Sequence, residues 1–141
     1  MTYLLDVNVW LAIVASGHPH HLVSRNWVEE CPGVAAFCRI TEMGLFRLLT
    51  NGTVMGADVL DARGAWRVRD QFLENSKIVF VNEPAEFERS WRSTAGRGKI
   101  GPNFWTDGYL ESFCQATNFT LVTFDVALAR RMKSKALLLT G

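Results

Sequence analysis

The sequence predicts an α/β fold: one domain spanning residues 1–141, an α/β/α sandwich around a central, mostly parallel sheet. Three observations lead there. Short apolar runs recur at residues 2–5, 33–38, 77–81, 120–124 and 136–139, each of strand length. Between them lie longer stretches whose apolar residues return every three or four positions. A chain of 141 residues also suits one domain that buries roughly two-thirds of its unfolded surface. Strands alternating with helices pair in parallel, and such a sheet is covered on both faces.

The elements follow in order. Residues 2–5 read as a strand, then 8–15 and Pro19 to Glu30 as helices, the second with proline near its first turn. "GVAAFC" (33–38) is a strand and "TEMGLFRLL" (41–49) a helix. "TNGTVMG" (50–56) reads as a loop from its glycines and asparagine. Val59, Ala62, Trp66 and Leu73 recur at helical spacing between Asp58, a cap candidate, and Asn75. "KIVFV" (77–81) is the third strand, and residues 84–95, with Phe87 and Trp91 four apart, form a helix. "GRGKIGPN" (96–103) is loop, 104–117 helix, "TLVTF" (120–124) strand, 126–133 helix and "ALLL" (136–139) a last strand.

Composition narrows the functions. Hydrophobic residues make up 48% and charged residues 21%, an ordered globular balance. Fifteen Lys and Arg oppose fourteen Asp and Glu, so no global basic field draws a polyanion, and any nucleic-acid contact rests on local patches. Three cysteines (Cys31, Cys38, Cys114) without a CxxC argue against a disulfide framework or structural zinc, and fit a reduced cytosol. The run from Val9 to Ala15 is too short to span a bilayer and has no basic segment ahead of it. The expectation is a cytoplasmic protein without a membrane segment.

In an open α/β sheet, ligands gather beyond the carboxyl ends of the strands. Four acids fall there. Asp6 ends the first strand and Asp125 the fourth, while Glu42 and Asp107 lie in the first turns of the helices opened by "RITEMG" and "PNFWTD". Each also reads as a helix cap or first-turn acid. Together they form a carboxylate cluster, with Asn8 and Thr123 as supporting polar groups. Crowded carboxylates repel and raise one another's pKa. Mg²⁺, which takes oxygen ligands and keeps several waters, suits such a cluster. It would activate water and neutralise a departing oxygen, as phosphodiester hydrolysis requires.

The segments "LLDVNVWLA", "RITEMGLFRLLTN", "PNFWTDGYLESFC" and "LVTFD" resemble, in order, the four acidic motifs of PIN-domain ribonucleases, and especially VapC-type toxins. The resemblance implies that Asp6, Glu42, Asp107 and Asp125 bind Mg²⁺ or Mn²⁺ and support endonucleolytic hydrolysis of RNA. It further implies a cognate antitoxin that covers the acidic groove, and a homodimer. Aromatic and leucine side chains of 40–75 would supply those surfaces, unless they pack the core. Asn8 fits the small polar residue that such proteins carry after the first acid. Gly108 stands where alanine is common and adds freedom within its helix.

Other motifs carry less. "GRGKIG" matches GxGxxG, but a dinucleotide fingerprint needs a strand directly before it, and "FERSWRSTA" is helical in pattern. Arg97 and Lys99 serve better as phosphate contacts leading into the Asp107 helix. "HPHH" (18–21) lacks partners at metal-ligand spacing and reads as a helix start. Arg130, Arg131, Lys133 and Lys135 form a basic end that either touches RNA backbone or is a solvated face. Two rival functions stand beside the nuclease. An aspartate-based phosphotransferase would use Asp6 as nucleophile, but Asn8 replaces its general acid. The other is a catalytically inactive RNA- or protein-binding module on the same fold.

Overall fold

The computed structural model describes residues 1–95 and 98–141. Its centre is a five-stranded, wholly parallel sheet: β1 (Thr2–Leu5), β2 (Val34–Phe37), β3 (Ile78–Phe80), β4 (Thr120–Thr123) and β5 (Ala136–Leu138). Their order is β3-β2-β1-β4-β5. The register runs Leu4 opposite Ala36 and Leu121, with Phe37 opposite Phe80. The chain therefore travels outward from β1 to one side, then returns and continues on the other. The point of reversal lies between β1 and β4.

Eight α-helices among the described residues connect the strands: α1 (Val7–Val14), α2 (His21–Glu30), α3 (Arg39–Leu49), α4 (Gly52–Met55), α5 (Ala62–Glu74), α6 (Phe87–Ala95), α7 (Phe104–Thr117) and α8 (Val126–Met132). Side chains alternate along a strand, so β1 feeds two separate cores. Tyr3 and Leu5 join Val9, Trp10, Leu45 and Leu49 beneath α1, α2, α3 and α5. Leu4 joins Phe87, Leu110, Phe113 and Leu128 beneath α6, α7 and α8. Trp10, fully buried, packs edge-on to Phe37 at 5.3 Å and tilted against Phe72 at 5.0 Å. The α/β/α sandwich is thus the observed architecture.

Several local expectations shift. The stretch 50–56 contains the single turn α4, because the Asn51 side chain accepts from the amides of Thr53 and Val54. Gly56–Asp58 forms a 3-10 turn, and the cap of α5 is Asp61, whose Oδ1 accepts from Gly64 at 2.8 Å. α3 begins two residues earlier than its apolar pattern suggests, since the Cys38 amide donates to Thr41 Oγ1. Pro19 stands before α2 rather than within it. Residues 40–75 divide between the two expectations: Leu45 and Leu49 are core, whereas Met43, Val54, Val59 and Trp66 are exposed. Among the described residues no helix is long and apolar enough to cross a membrane.

Gly108 is a close-approach position rather than a flexible one. A Cβ there would stand 2.9 Å from the Ala95 Cβ, where α7 packs on α6. Alanine in a helix interior normally gains about 0.5–1 kcal/mol over glycine, but forced overpacking costs about 1–3 kcal/mol. Overpacking wins here. Gly108→Ala is expected to lower Tm by about 3–5 °C, measured by thermal melting, where an unobstructed site would raise it.

Candidate active site

Asp6 and Asp125 flank the reversal point between β1 and β4. Asp6 follows the last residue of β1, and its amide donates to the Val122 carbonyl at 2.9 Å, extending the ladder by one residue. Its carboxylate is fastened at both oxygens. Oδ1 accepts from the Val7 amide at 2.8 Å, and Oδ2 accepts from the Thr123 hydroxyl at 2.8 Å. The same Thr123 oxygen accepts from the Asp125 amide at 3.0 Å. Asp125 in turn caps α8, its Oδ1 accepting from Leu128 at 3.0 Å. Capping and clustering are both true of these two acids. Thr123 is fully buried, so its hydroxyl joins them away from water.

Asp107 arrives from α7, in that helix's first turn. Its pKa is pushed up from 3.8 to about 6, first by burial, then by the charges of Asp6 and Asp125. Arg131 on α8 and Glu111 pull it in opposite directions. Burial likewise raises Asp6, offset partly by the Thr123 and Val7 hydrogen bonds and reinforced by Asp125. Three aspartates from three separated segments thus feel one another's charge at one edge of the sheet.

Glu42 is placed differently. It is 3% exposed, and both oxygens are taken by guanidinium groups: Oε1 by Arg39 Nη1 at 2.5 Å and Oε2 by Arg69 Nε at 3.2 Å. Arg39 lies one helical turn before it, whereas Arg69 reaches it from α5. The four-acid set of the sequence therefore divides into three clustered aspartates and one glutamate in a two-arginine clamp. Asn8 is exposed in the first turn of α1, beside Asp6 in sequence.

Among the described residues no three or more His, Cys, Asp or Glu side chains are already arranged to hold a metal ion. The donor chemistry nevertheless fits a hard divalent cation. Half-buried carboxylates in a cluster without sulfur are oxygen donors, and Mg²⁺ is bound through one or two of them with water completing its shell. Asp6, Asp107 and Asp125 are the residues that would hold it.

Next to Asp107 along α7, Gly108 and Glu111 line a cleft of about 290 Å³ with Lys99 and Arg131, and Glu111 pairs with Arg131 Nε at 3.0 Å. Arg97 and Gly96 lie outside the described residues. The histidines are used locally: the His21 ring meets the Ala12 carbonyl at 2.7 Å, His18 accepts from the His20 amide, and His20 stacks on Phe124. Arg131 was visible in sequence only as part of a basic end, and nothing local marked it as a cation whose charge lowers the pKa of Asp107.

The chain matches the PIN domain model over residues 3–133. It belongs to the PIN-domain family. Among curated proteins it is 44% identical to "Ribonuclease VapC41" of Mycobacterium tuberculosis, over 90% of this chain and 91% of that protein. It is 30% identical to "Ribonuclease VapC29" of the same organism, over 92% and 90%. This PIN domain is therefore of the VapC type. Solved structures with the same fold include VapC20 of M. tuberculosis, described as a sarcin-ricin loop cleaving toxin (TM-score 0.68, 15% identity, 92% of this chain and 94% of that one). A second is VapBC2 of Rickettsia felis bound to a promoter DNA fragment (TM-score 0.61, 19% identity, 99% and 98%).

The raised acid gives a signed pH dependence. Asp107 binds its proton more tightly folded than unfolded, so its contribution to stability is complete below about pH 4. It is lost as pH rises through about 6. Above that, in metal-free protein, the ionised group opposes folding by on the order of 1–2 kcal/mol. Asp107→Asn is expected to melt higher than wild type in EDTA at pH 7.5, with the difference vanishing near pH 4. A difference that does not change with pH would show the acid to be unperturbed.

Proposed function

We propose that this PIN-domain protein is a Mg²⁺- or Mn²⁺-dependent endoribonuclease, the toxin of a toxin–antitoxin pair. The observation that carries the reading is the convergence of Asp6, Asp107 and Asp125 at the sheet's reversal point, with Asp107 raised to about 6. Relatives named as ribonucleases, covering nine-tenths of the chain, point the same way. So does the VapBC2 structure among its structural neighbours, for an antitoxin partner. A cytoplasmic location is part of the same reading.

A divalent cation bound by the aspartates supplies charge neutralisation and polarises water and phosphate oxygens. The chain's own residues do the rest. Thr123 and the Val7 amide hold Asp6 in one orientation, so its oxygens need no reorganisation when substrate arrives. The Leu128 amide does the same for Asp125. Asp107 completes the oxygen donor set from α7, and its raised pKa reflects the repulsion that a bound cation would relieve. Lys99 and Arg131 border the cleft where RNA phosphates would lie, and Arg97 belongs to the same loop in sequence. Glu42 holds Arg39 and Arg69 through both its oxygens. The exposed Trp66, Val59 and Val54 supply apolar surface for the antitoxin or a second copy of the chain.

The test is cleavage of RNA with added Mg²⁺ or Mn²⁺, beside melting curves with and without the ion. Asp6→Asn, Asp107→Asn and Asp125→Asn are each expected to lose cleavage by at least about a hundredfold and to lose most of the stabilisation by Mg²⁺. Glu42→Gln should instead lower Tm, because two guanidinium groups lose a buried charged partner, while stabilisation by Mg²⁺ persists. Robust cleavage by wild type in excess EDTA would overturn the metal mechanism. Loss of Mg²⁺ stabilisation in Glu42→Gln would return Glu42 to the ligand set.

Replacing Lys99 and Arg131 by Ala should weaken RNA binding and reduce the slope of its salt dependence by about two. An unchanged slope would make both ordinary surface charges.

A further inference from the structure

A second cleft, of about 270 Å³, opens at the same edge of the sheet, beyond the tips of β2 and β3. The register fixes its distance from the aspartates. Leu4 pairs with Ala36, and Phe37 with Phe80, so Asp6, Cys38 and Val81 close their strands at one level. Strands stand about 4.8 Å apart, which puts the cleft's far wall roughly 10 Å from Asp6. At 3.4 Å or more per nucleotide, that is roughly one to three nucleotides along a strand.

Its walls are built from unlike parts. The Arg39 guanidinium lies over the Phe80 ring, 4.6 Å from the centroid, and the buried Glu42 holds it there. Asn82 and Glu83 form the rim and are exposed. The Tyr109 hydroxyl donates to Glu83 Oε1 at 3.3 Å, which leaves Oε2 free. A guanidinium held flat on an aromatic ring presents its remaining N–H donors at its edge, toward the acceptors of an unpaired base lying beside it. A carboxylate beside that guanidinium repels phosphates, so on an RNA path it contributes where donors meet it, and the paired donors of a base edge meet it better than a single 2′-hydroxyl.

On the reading that this protein cleaves RNA, we infer that the Arg39–Glu83 cleft is a nucleobase subsite selective for guanine. Guanine alone presents two adjacent donors, N1–H and N2–H₂, to one carboxylate. It also carries two acceptors, O6 and N7, that suit a guanidinium. Cytosine would offer Glu83 one donor beside an acceptor, adenine one donor beside an acceptor, and uracil a single donor between two acceptors. Asn82 adds a donor and an acceptor at the rim. Glu42 is a positioning residue here: it orients Arg39 without touching the base.

The test is binding of fluorescent single-stranded RNA hexamers to the whole protein in EDTA, where metal-dependent cleavage is silent. The hexamers differ in the base at one position at a time, and metal-dependent cleavage is scored separately on the same set. Wild type should favour guanine at one position by about tenfold over the other three bases, with inosine, which lacks N2, falling between. Glu83→Gln and Arg39→Ala should each cut that preference to about threefold or less, at a Tm that shows them folded. Equal binding of all four bases at every position would overturn the subsite, as would a guanine preference surviving both substitutions. Absence of metal-dependent cleavage with the guanine preference present would sink the nuclease reading and leave the cleft standing as an RNA-binding site.

Discussion

One buried hydroxyl holds the site together. Thr123 donates to Asp6 and accepts from the Asp125 amide, across the one place in the sheet where strand order reverses. Because the hydroxyl can do both at once, it joins the ends of β1 and β4 without an unsatisfied polar atom. Asp6 and Asp125 are both set by that bridge. Asp6 leads directly into α1 and Asp125 caps α8, so the two helices start from positions the bridge has already set.

The bridge brings together charges that repel. Asp107 comes from α7 and is raised by burial and by the charges of Asp6 and Asp125, with Arg131 offsetting part of the repulsion. A sheet with two full cores can carry this. Leu4, Leu5, Leu121 and Val122, the strand residues leading into the aspartates, are wholly buried, so their apolar neighbours fix the acids against their own repulsion. The result is an edge that is held open by the fold and favours a divalent cation. Glu42 shows the contrast. Its two oxygens meet the guanidinium groups of Arg39 and Arg69, and Arg39 lines the neighbouring cleft.

The fold was largely legible in the sequence, because each strand is a short apolar run and each helix has its own period. The strands at 2–5, 120–124 and 136–139 were found within a residue of their ends. What was lost depended on side chains folding back on the backbone. Asn51 turns a glycine-containing stretch into helix α4, and Asp61 rather than Asp58 starts α5, since its oxygen reaches Gly64. The three aspartates were legible as strand-end and helix-start acids, and Thr123 as a neighbour. The fate of Glu42 was only half visible. Arg39 sits three residues before it on one helix, but Arg69 is twenty-seven residues away and no local pattern pairs them. Gly108 read as loosened helix, and the reason for it lay in Ala95 on a different helix.

The central claim is that the fold forces three carboxylates into a repulsion that a divalent cation relieves. A carboxyl-carbon NMR titration of Asp107 tests it most directly, run once in metal-free buffer and once with saturating Mg²⁺. The account requires a pKa of about 6 without the ion and a fall of at least about one unit with it. An Asp107 that titrates near 3.8 in both buffers would contradict it.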